Sequence, residues 1–225
     1  MIEADSWVKD ALAGLKEIFG PRLLYLGLQG SYRRGEATET SDIDLVTVLD
    51  RVSLDDLDAY RGVVHALPEG EKACGFICGR DDLLLWPRQE LFQFKMDTRD
   101  YYGRLDDFLP PVGRSDIIAG LRLGAGGLMH LLTHSYLYAA PESRPEILKG
   151  AYKGAFFSLL LQNYLESGHY RAAKKELLSS LPEGPEKTIV AAGLDFSAWL
   201  DDNSEKQAFN LILAWCRKVL ALDFK

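Results

Sequence analysis

Between Leu23 and Leu49 the chain reads as an apolar run, LLYLGL, then a polar segment, QGSYRRGEATETSD, then a second apolar run, IDLVTVL. Near-continuous apolar runs of this length, bounded by glycine and polar residues, are the pattern of strands buried on both faces. The second run is unusual at its entrance, where Asp42 and Asp44 are two residues apart. Residues i and i+2 of a strand face the same side with about 3.3 Å of rise each, so the two carboxylates lie some 6 to 7 Å apart. At an effective dielectric of about 20, two like charges at that distance repel by roughly 2.5 kcal/mol. A divalent cation between them reverses the sign, and Mg²⁺ is the hard ion that one or two carboxylates plus substrate phosphates hold.

The residues upstream suit a metal-bound phosphate. Gly30 ends the first run where the backbone turns and something approaches closely, Ser31 offers a hydroxyl and an N–H, and a short helix is expected to follow with its N-terminus favouring anions. Arg33 and Arg34 add positive charge. Taken separately, Gly30-Ser31 also fits an ordinary capped turn and Asp42 an ordinary strand entry; in this order, after one strand and before another, the two halves reinforce each other.

The remainder divides near FLPPVGRS. Before Pro110-Pro111, strand-like runs at 23–28, 43–49, 73–78 and 91–96 alternate with helical patterns at 7–19 and 54–67. After it, the spacing is helical at 117–137, 145–165, 170–181 and 206–222, with ESGHY and LPEGPE as breaks. The fold class expected is α+β: a domain over residues 1–112 with a sheet flanked by helices, then an all-α antiparallel bundle over residues 115–225. At 225 residues with 47% hydrophobic composition the chain is long enough to bury one or two cores. A net charge of −7 argues against nucleic acid as a partner, whose affinity is carried by clustered Lys and Arg. No apolar stretch suits a membrane span and the first ten residues are acidic, so no membrane association and a cytoplasmic location are expected. Three cysteines without a CxxC support neither a disulfide framework nor a structural zinc site.

GSYRRGEATETSDIDLVTVLD resembles the signature of the nucleotidyltransferase superfamily that includes DNA polymerase beta and the kanamycin-type and minimal nucleotidyltransferases: a Gly-Ser turn, an Arg-Gly pair, and Ser-Asp-x-Asp on the next strand. The match is specific over Gly30 to Val48 and architectural elsewhere. The resemblance implies a mixed sheet and transfer of a nucleoside monophosphate from an NTP, ATP being the expected one, to a small-molecule or protein acceptor with pyrophosphate leaving. Carried over residue by residue, Asp42 and Asp44 are the catalytic residues that hold Mg²⁺ or Mn²⁺. Gly30 and Ser31 hold the triphosphate, and Arg34 supports the loop or the phosphates. The acceptor, the base of the NTP and the oligomeric state are not legible.

One departure stands out. Family enzymes bring a third carboxylate from a neighbouring strand, whereas the expected strand here reads KACGFICG, with Cys74, Gly75 or Phe76 at that place. The substitutes are Glu71, Asp81, Asp82 and, preferred because it closes the expected strand at 91–96, Asp97. A nucleotide-binding or antitoxin-like module without turnover is therefore the alternative. His130 and His134 share a helix face but lack the glutamate and third ligand of a zinc motif, so a structural role is expected. GAGG at 124–127 suits close helix packing, and Lys149 and Lys153 share one helix face.

Overall fold

A computed structural model describes residues 2–223. It divides into two compact units, Met1–Pro111 and Val112–Lys225. The first unit runs α1 (Ala4–Phe19), β1 (Leu23–Leu28), α2 (Gly30–Arg34), β2 (Ile43–Leu49), α3 (Leu54–His65), β3 (Ala73–Gly79), α4 (Arg80–Leu84), α5 (Arg88–Met96) and β4 (Arg99–Tyr102). Its four strands lie in the order β3-β2-β1-β4. β1 is antiparallel to both β2 and β4, and β2 is parallel to β3, so the sheet is mixed.

Apolar spacing decides which face of this sheet is covered. α1 buries Trp7, Val8, Ala11, Leu15 and Phe19, one stripe at helical period. That stripe packs with Val64 of α3 on Leu26 and Leu28 of β1 and Ile43, Leu45 and Leu49 of β2. Because side chains alternate along a strand, Asp44, Val46 and Val48 face the other way. A capping box of Ser53 and Asp56 starts α3, and Arg22 grips the same Asp56 at 2.7 Å, fixing the helix to the foot of the sheet.

One expectation fails here. Residues 91–96 are not a strand: RQELFQFKM forms α5 after Pro87, burying Leu91 and setting the Phe94 ring 5.2 Å from that of Phe76. The fourth strand is instead the polar stretch Arg99–Tyr102, which earns its place by main-chain pairing of Arg99 with Leu28 at the sheet edge, where exposed Arg99 and Asp100 need no apolar alternation.

The second unit contains α6 (Arg114–Tyr138), α7 (Arg144–Ser167), α8 (Lys174–Ser180), α9 (Pro185–Ala192), α10 (Phe196–Asp202) and α11 (Glu205–Ala221). Leu121, Leu128 and Leu132 of α6, Leu148, Tyr152 and Leu159 of α7, and Phe209, Ile212 and Trp215 of α11 are buried in it. Gly124 allows α6 to approach α7: a methyl group there would lie 2.5 Å from the Ser158 hydroxyl. α8 is shorter than the expected 170–181 helix, and LPEGPE is no mere break, since Gly184-Pro185 starts α9 with proline at the first turn. Among the described residues no helix is long and apolar enough to cross a membrane.

Candidate active site

The Gly30 turn meets Asp44 at one end of the sheet, with Asp42 two residues before it. As β1 ends, the Gln29 N–H donates to the Asp44 carbonyl at 2.8 Å, holding the turn against the entrance of β2. Gly30 has φ of 72°, and a Cβ there would lie 1.8 Å from Asp44 Oδ2. Only glycine fits, for both its left-handed backbone and the carboxylate against it. α2 follows for five residues and closes on the bond from Glu36 N–H to the Ser31 carbonyl at 2.8 Å. Arg34 pairs with Glu36 at 3.1 Å with only 10% of its side chain exposed, which ties it to the loop.

The approach to Asp42 is built locally. Ser41 Oγ accepts from the Thr38 N–H at 2.9 Å, and the Ser41 N–H returns to the Thr38 carbonyl at 3.1 Å. Lys72, at the entry to β3, donates to the Glu39 carbonyl at 2.9 Å, so the loop is fastened to the neighbouring strand. Asp42 is exposed, Ile43 is buried in the core, and Asp44 is half-buried on the face away from α1 and α3.

Across the parallel ladder, the partner of Asp44 is Cys74, which is exposed. No carboxylate lies on β3. Gly75 presses on β2, where a Cβ would meet the Leu45 carbonyl oxygen at 2.0 Å. Asp81 and Asp82 have other partners. Glu71 is exposed ahead of β3, Asp81 pairs with Arg80 at 3.2 Å, and Asp82 accepts from the Gly79 N–H at 3.0 Å at the start of α4. Asp97 does not close a strand; it caps the C-terminus of α5 and is 8% exposed. It leads into β4, with β1 between that strand and β2, so the two strand axes lie about 10 Å apart. Among the described residues no group of three or more His, Cys, Asp or Glu is placed to hold a metal ion. That includes His130 and His134, whose ring centroids are 6.0 Å apart. Lys149 sits 3.6 Å from Glu146 in an exposed pair.

Sequence reasoning missed Gln29 and read Arg33 only as added positive charge. Gln29 donates from Nε2 to the Phe94 carbonyl at 3.0 Å and to Thr98 Oγ1 at 2.6 Å, and Arg33 donates to the Met96 carbonyl at 3.1 Å. A lone glutamine before a glycine carries no motif, and α5 had been read as a strand. On the Asp44 face, Phe76 packs edge-on against Trp86 and Phe94 at 5.0 and 5.2 Å. Burial pushes the thiol of Cys78, two pleats beyond Cys74 on that face, up to about 12.

The donor set fits one hard divalent ion. Two carboxylates at a strand entrance could supply oxygen ligands, and an ion held by two protein carboxylates would take its remaining positions from phosphate and water. The glycine cradle against Asp44 Oδ2 leaves one side of that carboxylate free of side-chain bulk. A thiol at position 74 adds no hard donor.

Residues 8–88 match the family model of the nucleotidyltransferase domain. No curated protein sequence matches the chain. Among solved structures, the spectinomycin adenyltransferase AAD(9) from Enterococcus faecialis, crystallised with ATP and spectinomycin, has the same fold, with a TM-score of 0.54 at 14% identity. The likeness covers 97% of this chain and 99% of that one. The resemblance read from Gly30 to Val48 thus falls inside the matched domain.

Proposed function

We propose that the chain is a divalent-metal-dependent nucleotidyltransferase that moves a nucleoside monophosphate from an NTP, ATP by preference, to a small-molecule acceptor. The observation that carries this reading is the contact of Asp44 with the Gly30 turn, in which the carboxylate proposed to bind metal lies against a backbone shaped for close approach. Support also comes from the matched domain and from the adenyltransferase of like fold, which holds ATP and a small molecule.

In this reading Asp42 and Asp44 hold Mg²⁺ or Mn²⁺, which when bound neutralises charge on the phosphates and on the leaving pyrophosphate. Gly30, lacking a side chain, lets the triphosphate approach the backbone, while Ser31 offers its hydroxyl and N–H to a phosphate oxygen. Arg34, tied to the loop through Glu36, supports the loop or the phosphates. Positioning supplies most of the rate enhancement. Titration of ATP by calorimetry tests the reading: binding in Mg²⁺ and none in EDTA is expected, and equal affinity in both overturns it.

A second reading has its own observation. Cys74 beside Asp44 leaves the pair without a neighbouring carboxylate to take a proton from an acceptor hydroxyl. In that case the chain is a nucleotide-binding module with little turnover. Pyrophosphate release over a panel of hydroxyl-bearing acceptors separates the two: release favours the transferase, and tight Mg²⁺-dependent binding without release favours the module.

A further inference from the structure

The C-terminus of α5 is completed by side chains from the Gly30 turn. A helix leaves its last four carbonyls without helical partners. Here the chain satisfies two of them itself, through the Asp97 N–H to the Gln93 carbonyl at 2.8 Å and the Thr98 N–H to the Lys95 carbonyl at 3.1 Å. The alternate two are met from the Gly30 turn: Gln29 Nε2 donates to the Phe94 carbonyl at 3.0 Å, and Arg33 of α2 to the Met96 carbonyl at 3.1 Å. Thr98 Oγ1 joins the first of these, donating to Phe94 O at 2.5 Å while accepting from Gln29 at 2.6 Å. A cation at a helix C-terminus also meets the negative end of the helix dipole.

These two side chains bracket Gly30. Gln29 further binds the Asp44 carbonyl through its own N–H at 2.8 Å, so one residue touches the turn, the metal-binding strand and α5. We infer that Gln29 and Arg33 are positioning residues: by fastening the Gly30–Arg34 segment to the end of α5, they hold the phosphate-facing backbone in register with Asp44. The charge of Arg33 is thereby spent on a helix end and not on a phosphate. This inference rests on the proposed nucleotide site, but the clamp itself is readable without any ligand.

Two measurements on the full chain test it. The first is affinity for ATP with Mg²⁺. Gln29→Leu changes no charge, so a weakening cannot come from lost attraction to phosphate; about a tenfold loss is expected, equal to about 1.4 kcal/mol. Arg33→Met should lose about as much, and Arg33→Lys, which keeps a donor, should restore most of it. Because both act on one segment, the double variant should fall well short of the hundredfold that independent contacts would give. Thermal melting checks that every variant is folded. Unchanged affinity in Gln29→Leu and Arg33→Met, or strictly additive losses, overturns the inference. The second is hydrogen exchange without nucleotide, where the Glu36 amide should exchange faster in both variants than in the parent. If the parent binds no ATP, the proposed function fails and exchange alone decides: faster exchange at residues 34–36 upholds the clamp, and unaltered exchange overturns it.

Discussion

Asp44 and Cys74 stand side by side across the parallel pairing of β2 and β3, on the face of the sheet turned away from α1 and α3. A hard carboxylate therefore has a soft, exposed thiol as its lateral neighbour. Replacing Cys74 with aspartate sets a proton acceptor beside the proposed metal site. Cys74→Asp is expected to raise nucleotidyl transfer about a hundredfold, the low end of what a placed general base contributes. Like charges side by side should also lower the melting temperature without metal, with Mg²⁺ restoring it. Pyrophosphate release and melting with and without Mg²⁺ check both; a slower Cys74→Asp enzyme would refute the role given to this position.

Asp42→Asn and Asp44→Asn each remove a negative ligand while keeping shape. The parent should gain thermal stability from ATP with Mg²⁺, about 2.7 kcal/mol when the ligand is at a hundred times its Kd. Each variant should lose that gain while melting near the parent temperature without ligand. A differential scan with and without Mg²⁺ reads this directly.

Gly30 and Gly35 share a left-handed backbone, at φ of 72° and 70°, but only Gly30 has a neighbour where a Cβ would go. Gly35→Ala should cost about 1 to 2 kcal/mol from the backbone alone and leave ATP affinity unchanged. Gly30→Ala adds a collision with the Asp44 carboxylate, so it should cost more stability and abolish Mg²⁺-dependent binding. Denaturant unfolding and calorimetry on the pair separate steric from conformational effects.

Thiol labelling should be selective. Cys74 is exposed, while burial raises the thiols of Cys78 and Cys216 to about 12 and about 11. A maleimide at neutral pH should modify one cysteine rapidly, identified by peptide mapping as Cys74. ATP with Mg²⁺ should slow that reaction. Labelling that nucleotide leaves unaffected would count against a site beside Asp44.

Acid sensitivity should include a contribution from Asp56. The Arg22 guanidinium and the Ser53 hydroxyl hold its carboxyl well below the usual carboxylate range. A depressed folded-state value contributes stability above the unfolded value near 4, and that contribution is lost as pH falls. The gap in melting temperature between the parent and Asp56→Asn should therefore be largest near neutrality and shrink below about pH 4.

The sequence by itself determined the parts whose signals are local. β1 and β2 were legible because a run buried on both faces is apolar throughout, and the places of Gly30 at the end of β1 and of Asp42 and Asp44 at the entrance of β2 followed from where those runs begin and stop. α6, α7 and α11 were legible from their helical period. Tertiary structure decided what depends on partners distant in sequence. RQELFQFKM has apolar residues that suit a strand or a helix, and its resting place against Phe76 selects the helix. RDYY has no strand pattern of its own and becomes β4 because the edge of β1 offers main-chain hydrogen bonds. The same long-range pairing moved Asp97 to a helix end on the far side of β1 and brought Cys74 beside Asp44, since strand order and register are set by which strands meet and not by the residues within any one of them.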